Sequence, residues 1–302
     1  LRIIVLPAAS AGATLAQIWL SGQFHGVIRP QTPMGSRRMT PLPARLTGYG
    51  ERWEGDRCVL WAEGVVRQSA VFGENLHLHR RIEADLGGHE IRLTDRVVNE
   101  GFSRTPHMFF YHVNLGAPLL EAGARYVAPV RDVVWAAHAE RYRDQGVGYR
   151  TAPVPAPGFV EQVWEHDMAP DAQGWVPVAL LNDRLGLGIE VSTRKDQLPC
   201  AYQWQNFQAG SYALGIEPST HHVLGDLAAR ERGEMIWLEH GEARDYEARF
   251  RVLDGIGALA EAEGRIGAAA LQPAHDFPAP SGRFLPLRGA SPSRSPSDEV
   301  TP

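Results

Sequence analysis

Leu76-His-Leu-His-Arg-Arg-Ile-Glu83, then Gly87-Gly88, then Glu90-Ile-Arg-Leu-Thr-Asp-Arg-Val-Val98, is the stretch that sets the character of this chain. The first segment alternates with period two. Leu76, Leu78, Arg80 and Ile82 point one way, and His77, His79, Arg81 and Glu83 point the other. A glycine pair between two such segments is hairpin chemistry, because glycine takes the positive φ that tight turns require. The stretch reads as two antiparallel strands.

The same signals recur outward from it. Arg57-Cys-Val-Leu-Trp-Ala-Glu-Gly64 and Val65-Val-Arg-Gln-Ser-Ala-Val-Phe72 are short, β-branched or aromatic, and bounded by glycine. Asn99-Glu-Gly101 is the next turn, and Met108-Phe-Phe-Tyr-His-Val-Asn114 follows as a more deeply buried strand. Strands are expected at 159–166, 176–181, 185–191, 200–204, 212–217 and 246–253, with turns at Asp171–Gly174 and Asn182-Asp183. A spacing of about ten residues with turn chemistry between strands implies a sandwich or barrel. The one helical candidate is Ala258–Ala270. The expectation is one large antiparallel β domain over residues 1–272, with a Pro/Ser/Arg-rich tail over 273–302.

Composition narrows the classes. The 302 residues are 44% hydrophobic and 22% charged, ordinary values for a chain that builds a core. Net charge is −5 with no basic stripe, which argues against nucleic acid as a partner. Cys58 and Cys200 lie far apart without CxxC spacing, so sequence suggests neither a disulfide framework nor a zinc site, and reducing cytoplasm is the expected location. The apolar start, with Arg2 ahead of Ile3-Ile-Val-Leu-Pro7, has the outline of a secretory signal. Ser10, Gly12, Thr14 and Gln17 interrupt it and no A-x-A site follows. The chain starts at Leu1 rather than Met, so an incomplete N-terminal part is expected. No segment approaches the ~20 apolar residues of a membrane span, and no membrane partner is expected.

Two strand ends offer titratable chemistry. Tyr212-Ala-Leu-Gly-Ile-Glu217 is followed by Pro218, which cannot donate a ladder hydrogen bond and biases Glu217 toward extended backbone. A carboxylate there, near Tyr212 and Trp204, suits a general base. An ordinary ion pair with an arginine is the alternative. His112 and Asn114, two residues apart, share a strand face, which suits an acid beside a hydroxyl-positioning amide, or else a hydrogen-bonded core histidine. His107, just after Pro106, reads as structural or surface-facing.

Gln203-Trp-Gln-Asn206 suits a sugar, whose C–H face stacks on an indole while its hydroxyls bond to amides. Trp204 as a core residue is the other reading. His77, His79, His221, His222 and His240 raise a metal question. His77-Leu-His79 puts two imidazoles on one face, but no third carboxylate is evident, so no metal is expected and His77 and His79 are read as solvated or ligand-lining. Arg80 and Arg81 could grip an anionic or hydroxylated ligand, or serve as cross-strand charges. Gly186-Leu-Gly188 lacks the context of a dinucleotide or phosphate loop, and no cofactor is expected.

Phe72-Gly-Glu-Asn75, Asn99-Glu-Gly101, the run Pro106–Leu120 containing Tyr111-His-Val-Asn-Leu-Gly116, Gln203-Trp204 and Leu214-Gly-Ile-Glu-Pro218 together carry a resemblance. Over roughly Pro41 to Leu253 the chain resembles a DUF4432-like, domain-of-unknown-function branch of the galactose mutarotase-like (aldose 1-epimerase) superfamily. The resemblance implies a large β-supersandwich with a sugar cleft and no cofactor. It implies Glu217 as the base at the anomeric hydroxyl and His112 as the acid at the ring oxygen. Asn114, His77, His79, Arg80, Gln203, Trp204 and His222 are the expected substrate-binding residues, and a monomer or homodimer is the expected state.

Two departures stand out. Mutarotases proper place their histidine in a His-x-Tyr-x-Asn pattern, whereas His112 and Asn114 here are only two apart. Relatives carry Leu-His-Gly-Arg ahead of a Pro-Ala pair, and this chain has Met34-Gly-Ser-Arg-Arg38 ahead of Pro43-Ala44. Three functions follow as expectations: an anomer-interconverting isomerase, a non-catalytic carbohydrate-binding domain, and a polysaccharide lyase or glycosidase that would recruit Tyr111 or Tyr202.

Overall fold

The computed structural model describes residues 2–5, 16–24, 44–136, 146–270, 284 and 287, with 2–5 and 16–24 described as backbone only. The expected tail over 273–302 lies outside the described residues except at Phe284 and Leu287, and so does the Met34–Arg38 segment.

In chain order the strands are β1 (Arg2–Val5), β2 (Ala16–Phe24), β3 (Ala44–Glu54), β4 (Arg57–Ser69), β5 (Asn75–Asp85), β6 (Glu90–Asn99), β7 (Thr105–His107), β8 (Phe109–Leu115) and β9 (Arg125–Val127). They continue as β10 (Val130–Ala136), β11 (Gln162–Met168), β12 (Trp175–Asn182), β13 (Leu187–Arg194), β14 (Cys200–Gln208), β15 (Ser211–Ser219), β16 (Ile236–Leu238) and β17 (Ala243–Asp254). Two helices are described, α1 (Gly225–Glu231) and α2 (Ile256–Ala269). One sheet runs β1-β2-β8-β15-β14-β11-β10, the other β3-β4-β5-β6-β17-β13-β12-β9, and β16 pairs with β7 alone.

The opening hairpin behaves as its alternation requires. β5 pairs antiparallel with β6 from Leu76↔Asn99 to Ala84↔Ile91. Gly87 takes φ +76 in the turn, and the Gly88 N–H donates to Asp85 O at 2.9 Å. Leu76, Leu78 and Leu93 are buried against Phe109, Tyr111, Val113, Leu214 and Ile216 of the facing sheet, so the core lies between the two sheets. A slip of one residue would send every one of these side chains to solvent, and the apolar pattern thereby holds the register.

Arg80 follows its leucine neighbours inward. Its guanidinium donates to both oxygens of Asp95 at 2.7 and 2.6 Å, and the Tyr111 hydroxyl donates to Asp95 Oδ2 at 2.9 Å. This buried trio ties β5 and β6 to β8 across the core.

β12 departs from the alternation of a half-exposed strand, since all eight of its residues are buried. The cause is α2, whose Leu259, Ala262 and Ile266 cover Ala179, Leu181 and Leu253 on the outer side of that sheet. The helical candidate at 258–270 is therefore real, starting two residues earlier. The two segments expected at 57–64 and 65–72 are one strand, β4, because both apolar runs continue the same ladder to β5.

Candidate active site

β8 and β15 are neighbours in the seven-stranded sheet, with Leu214↔Leu115, Gly215↔Asn114 and Ile216↔Val113 as partners, resuming at Ser219↔Phe110. The same register sets Glu217 across from His112. The step left out of the ladder is Glu217-Pro218, where proline has no N–H to give. Tyr111, Val113, Leu214 and Ile216 fill the core face, so His112, Asn114, Gly215 and Glu217 take the opposite, outer face. Pairing of β14 with β15 adds Tyr202 beside Glu217 and Trp204 beside Gly215, and pairing with β11 adds Glu165 beside Tyr202.

His112 Nε2 stands 2.9 Å from Glu217 Oε1, with the two side chains 17% and 10% exposed and Oε1 itself buried. The contact is an ion-pair distance without hydrogen-bond alignment. Among the described residues, Glu217 Oε1, His112 Nδ1 and Asn114 Oδ1 have no hydrogen-bond partner. The Trp204 ring meets the His112 ring edge-on at 5.7 Å between centroids.

Gly215 makes this arrangement possible. A Cβ at that position would sit 2.5 Å from Glu217 Oε1, 3.2 Å from Trp204 Cβ and 3.3 Å from His112 Cε1. The three side chains therefore converge over a residue that has none, on a shallow floor of bare backbone.

The other expected site residues divide sharply. Asn114 and Trp204 share the outer face with the pair. Gln203 points into the core, fully buried, and donates to Tyr149 O at 2.8 Å, because residues adjacent in a strand face opposite ways. Arg80 is the core partner of Asp95 rather than a ligand grip. His77 and His79 sit on the outer face of the other sheet, with the whole core between them and Glu217; Glu100 supplies the third donor of a partly exposed group there. His222 lies on the outer face of the site's own sheet, but its Nδ1 is held 2.5 Å from Glu165 Oε1. Tyr111 is committed to Asp95, and the Tyr202 hydroxyl donates to His221 O, so neither offers a free phenol to a lyase-type reaction.

His107 is structural and fully buried, 2.6 Å from the Tyr246 hydroxyl, and burial pushes its pKa down to about 3. Sequence reasoning passed over Gly215, Glu165 and Cys200. Gly215 was legible as the glycine two before Glu217. Glu165 and Cys200 carried no local signal, because their partners come from other strands.

The two antiparallel sheets face each other across one core as a large β-supersandwich, and galactose mutarotase-like proteins are among its neighbours in solved structures. A protein described as a "putative aldose 1-epimerase" from Klebsiella pneumoniae superposes with a TM-score of 0.65 at 22% identity, over 71% of this chain and 56% of that one. This chain thus spans little more than half of that protein. A galactose mutarotase-like protein from Clostridium acetobutylicum aligns at 13% identity and TM-score 0.46, over 70% and 67% of the two chains. The first of these, at 22% identity, establishes the fold and not a reaction. Residues 36–252 match the family described as Domain of unknown function (DUF4432), and the chain belongs to that family. No curated protein sequence matches it. No described helix is long and apolar enough to cross a membrane.

Proposed function

We propose that the chain is an aldose 1-epimerase-like isomerase that interconverts the anomers of a monosaccharide or a monosaccharide derivative. The observation that carries this reading is the 2.9 Å contact of His112 Nε2 with Glu217 Oε1 beside Trp204, on the outer face of the sheet. The anomeric hydroxyl and the ring oxygen share one carbon, so the base and acid that serve them must be neighbours.

Glu217 takes the proton of the anomeric hydroxyl while protonated His112 delivers one to the ring oxygen. The bond from the anomeric carbon to the ring oxygen breaks, its electron pair stays on the ring oxygen, and the former hydroxyl oxygen becomes a carbonyl. Rotation about the bond joining the former anomeric carbon to its carbon neighbour presents the other carbonyl face, and the reverse proton transfers reclose the ring. The entering sugar parts the two side chains. Trp204 stacks on the sugar's C–H face, and Asn114 Oδ1 accepts from a hydroxyl. No cofactor enters the cycle, and cytoplasm is the proposed location.

Glu217→Gln keeps the size and removes the base. Anomer interconversion followed by polarimetry or NMR across a monosaccharide panel should fall by about 10²–10⁴. Unchanged rates in that variant would sink the assignment. A second reading, a non-catalytic carbohydrate-binding domain, is favoured by Met34-Gly-Ser-Arg-Arg38 standing where relatives carry a histidine. It requires saturable sugar binding with no acceleration by the unaltered chain.

A further inference from the structure

Past Ser219 the chain folds back over the outer face of its own sheet. The Tyr202 hydroxyl donates to His221 O, the Val223 N–H donates to Glu165 Oε2 at 3.1 Å, and the His222 ring packs on Phe284 at 4.7 Å between centroids. This fold-back brings together three side chains that are far apart in sequence, Glu165 of β11, Cys200 of β14 and His222. One donor atom from each lies within 4.8 Å of the others, and all three residues are buried.

We propose that Glu165, Cys200 and His222 form a binding site for a divalent zinc-class metal ion, which clamps the 220–223 segment onto β11 and β14. A thiolate, an imidazole and a carboxylate together are a donor set that selects zinc over magnesium or calcium. The geometry fits. Donors at ~2.0 Å (N) and ~2.3 Å (S) from a tetrahedral ion stand about 3.5 Å apart, and Cys200 Sγ lies 3.5 Å from His222 Nδ1. Glu165 Oε1, 2.5 Å from His222 Nδ1, must withdraw by about 0.8 Å to reach a tetrahedral edge. Water fills the fourth position, as in sites with three protein ligands.

The surroundings are those of a metal site with a dry wall. Val163, Tyr202, Trp135, Trp204, Val223 and Leu287 pack around Cys200, and the Val223 N–H steadies the carboxylate from outside the donor set. Binding exchanges a proton for the metal: Cys200 gives up its thiol proton to solvent. A hydrogen-bonded trio, with Glu165 accepting from both neighbours, is the competing account.

The test uses the full chain, stripped with chelator and titrated with Zn²⁺ and Co²⁺. The expected result is about one equivalent of tightly bound metal, a thiolate-to-cobalt charge-transfer band, and a Tm that rises with added Zn²⁺. Cys200→Ser should lose the band, and His222→Ala and Glu165→Gln should each weaken binding tenfold or more. Where a variant fails to fold, the unaltered chain still decides through its stoichiometry and cobalt spectrum. Substoichiometric metal with no charge-transfer band, or variants that bind as the unaltered chain does, would overturn the site. Glu217→Gln should leave metal binding unchanged, which separates this site from the proposed isomerase.

Discussion

Glu217 Oε1 stands 2.9 Å from His112 Nε2 across the boundary of β8 and β15, above the backbone of Gly215. Three side chains lean over that glycine, and a single methyl group there would collide with the carboxylate first.

Gly215→Ala therefore tests the arrangement without touching an ionisable group. The new Cβ meets the far end of the flexible Glu217 side chain at 2.5 Å, so the carboxylate swings away while the strand stays. Crowding of Trp204 and His112 should cost about 1–3 kcal/mol of stability. The proposed isomerase activity should fall by about 10² or more while circular dichroism remains that of the folded chain. Full activity in a folded Gly215→Ala would mean that the two side chains do not need their present alignment.

Trp204→Ala separates binding from chemistry. The ring is partly exposed on the outer face and sits edge-on to His112. Losing an aromatic stacking surface worth about 0.5–1.5 kcal/mol should weaken the proposed sugar binding by about 2- to 12-fold. Titration calorimetry or NMR would read this, and an unaltered Kd would remove Trp204 from the ligand surface.

Asp95→Asn should be among the most damaging substitutions in the core. It leaves the buried Arg80 guanidinium without its bidentate anion, and one amide oxygen must serve the three donors that two carboxylate oxygens now share. Uncompensated buried charge costs about 3–5 kcal/mol. Chemical denaturation would measure the loss, and Arg80→Met with Asp95→Asn together should recover part of it.

Acid should unfold the chain through buried histidines. Burial lowers His107 and His166 to about 3 and His221 to about 4. Unfolding restores each to the usual range near 6.5, so the unfolded state binds more protons between those values. The stability these groups supply is full above about 6.5 and is lost progressively as pH falls toward 3–4. Each contributes a slope of about 1.4 kcal/mol per pH unit where only its unfolded form is protonated. His166, with both ring nitrogens lacking partners among the described residues, is the cleanest probe. His166→Phe should flatten the denaturation-midpoint profile between pH 6 and 4 by one proton, and an unchanged slope would refute its buried, neutral state.

Period-two alternation and glycine punctuation were enough to announce an all-β chain, because each strand's apolar face is written locally. Leu76, Leu78 and Leu93 buried as their spacing demanded. The pairing of His112 with Asn114 was equally local, since residues i and i+2 of a strand share a face. Arg80 shows where local reading stops. Its alternation put it on the leucine face, but only the buried Asp95 across the hairpin explains how a charge survives there. Gln203 failed for the same reason in reverse, since its neighbour Trp204 took the outer face.

The sequence by itself determined which side chains share a strand face, where the chain turns, and that a carboxylate and an imidazole end up on strands. Tertiary structure alone decided the partners. Register across β8 and β15 set Glu217 beside His112, the sandwich placed His77 and His79 on the far outer face, and the fold-back after Ser219 brought His222 to Glu165 and Cys200. Periodicity constrains a strand's two faces, but which strands become neighbours depends on burying one apolar face against another over long separations in the chain.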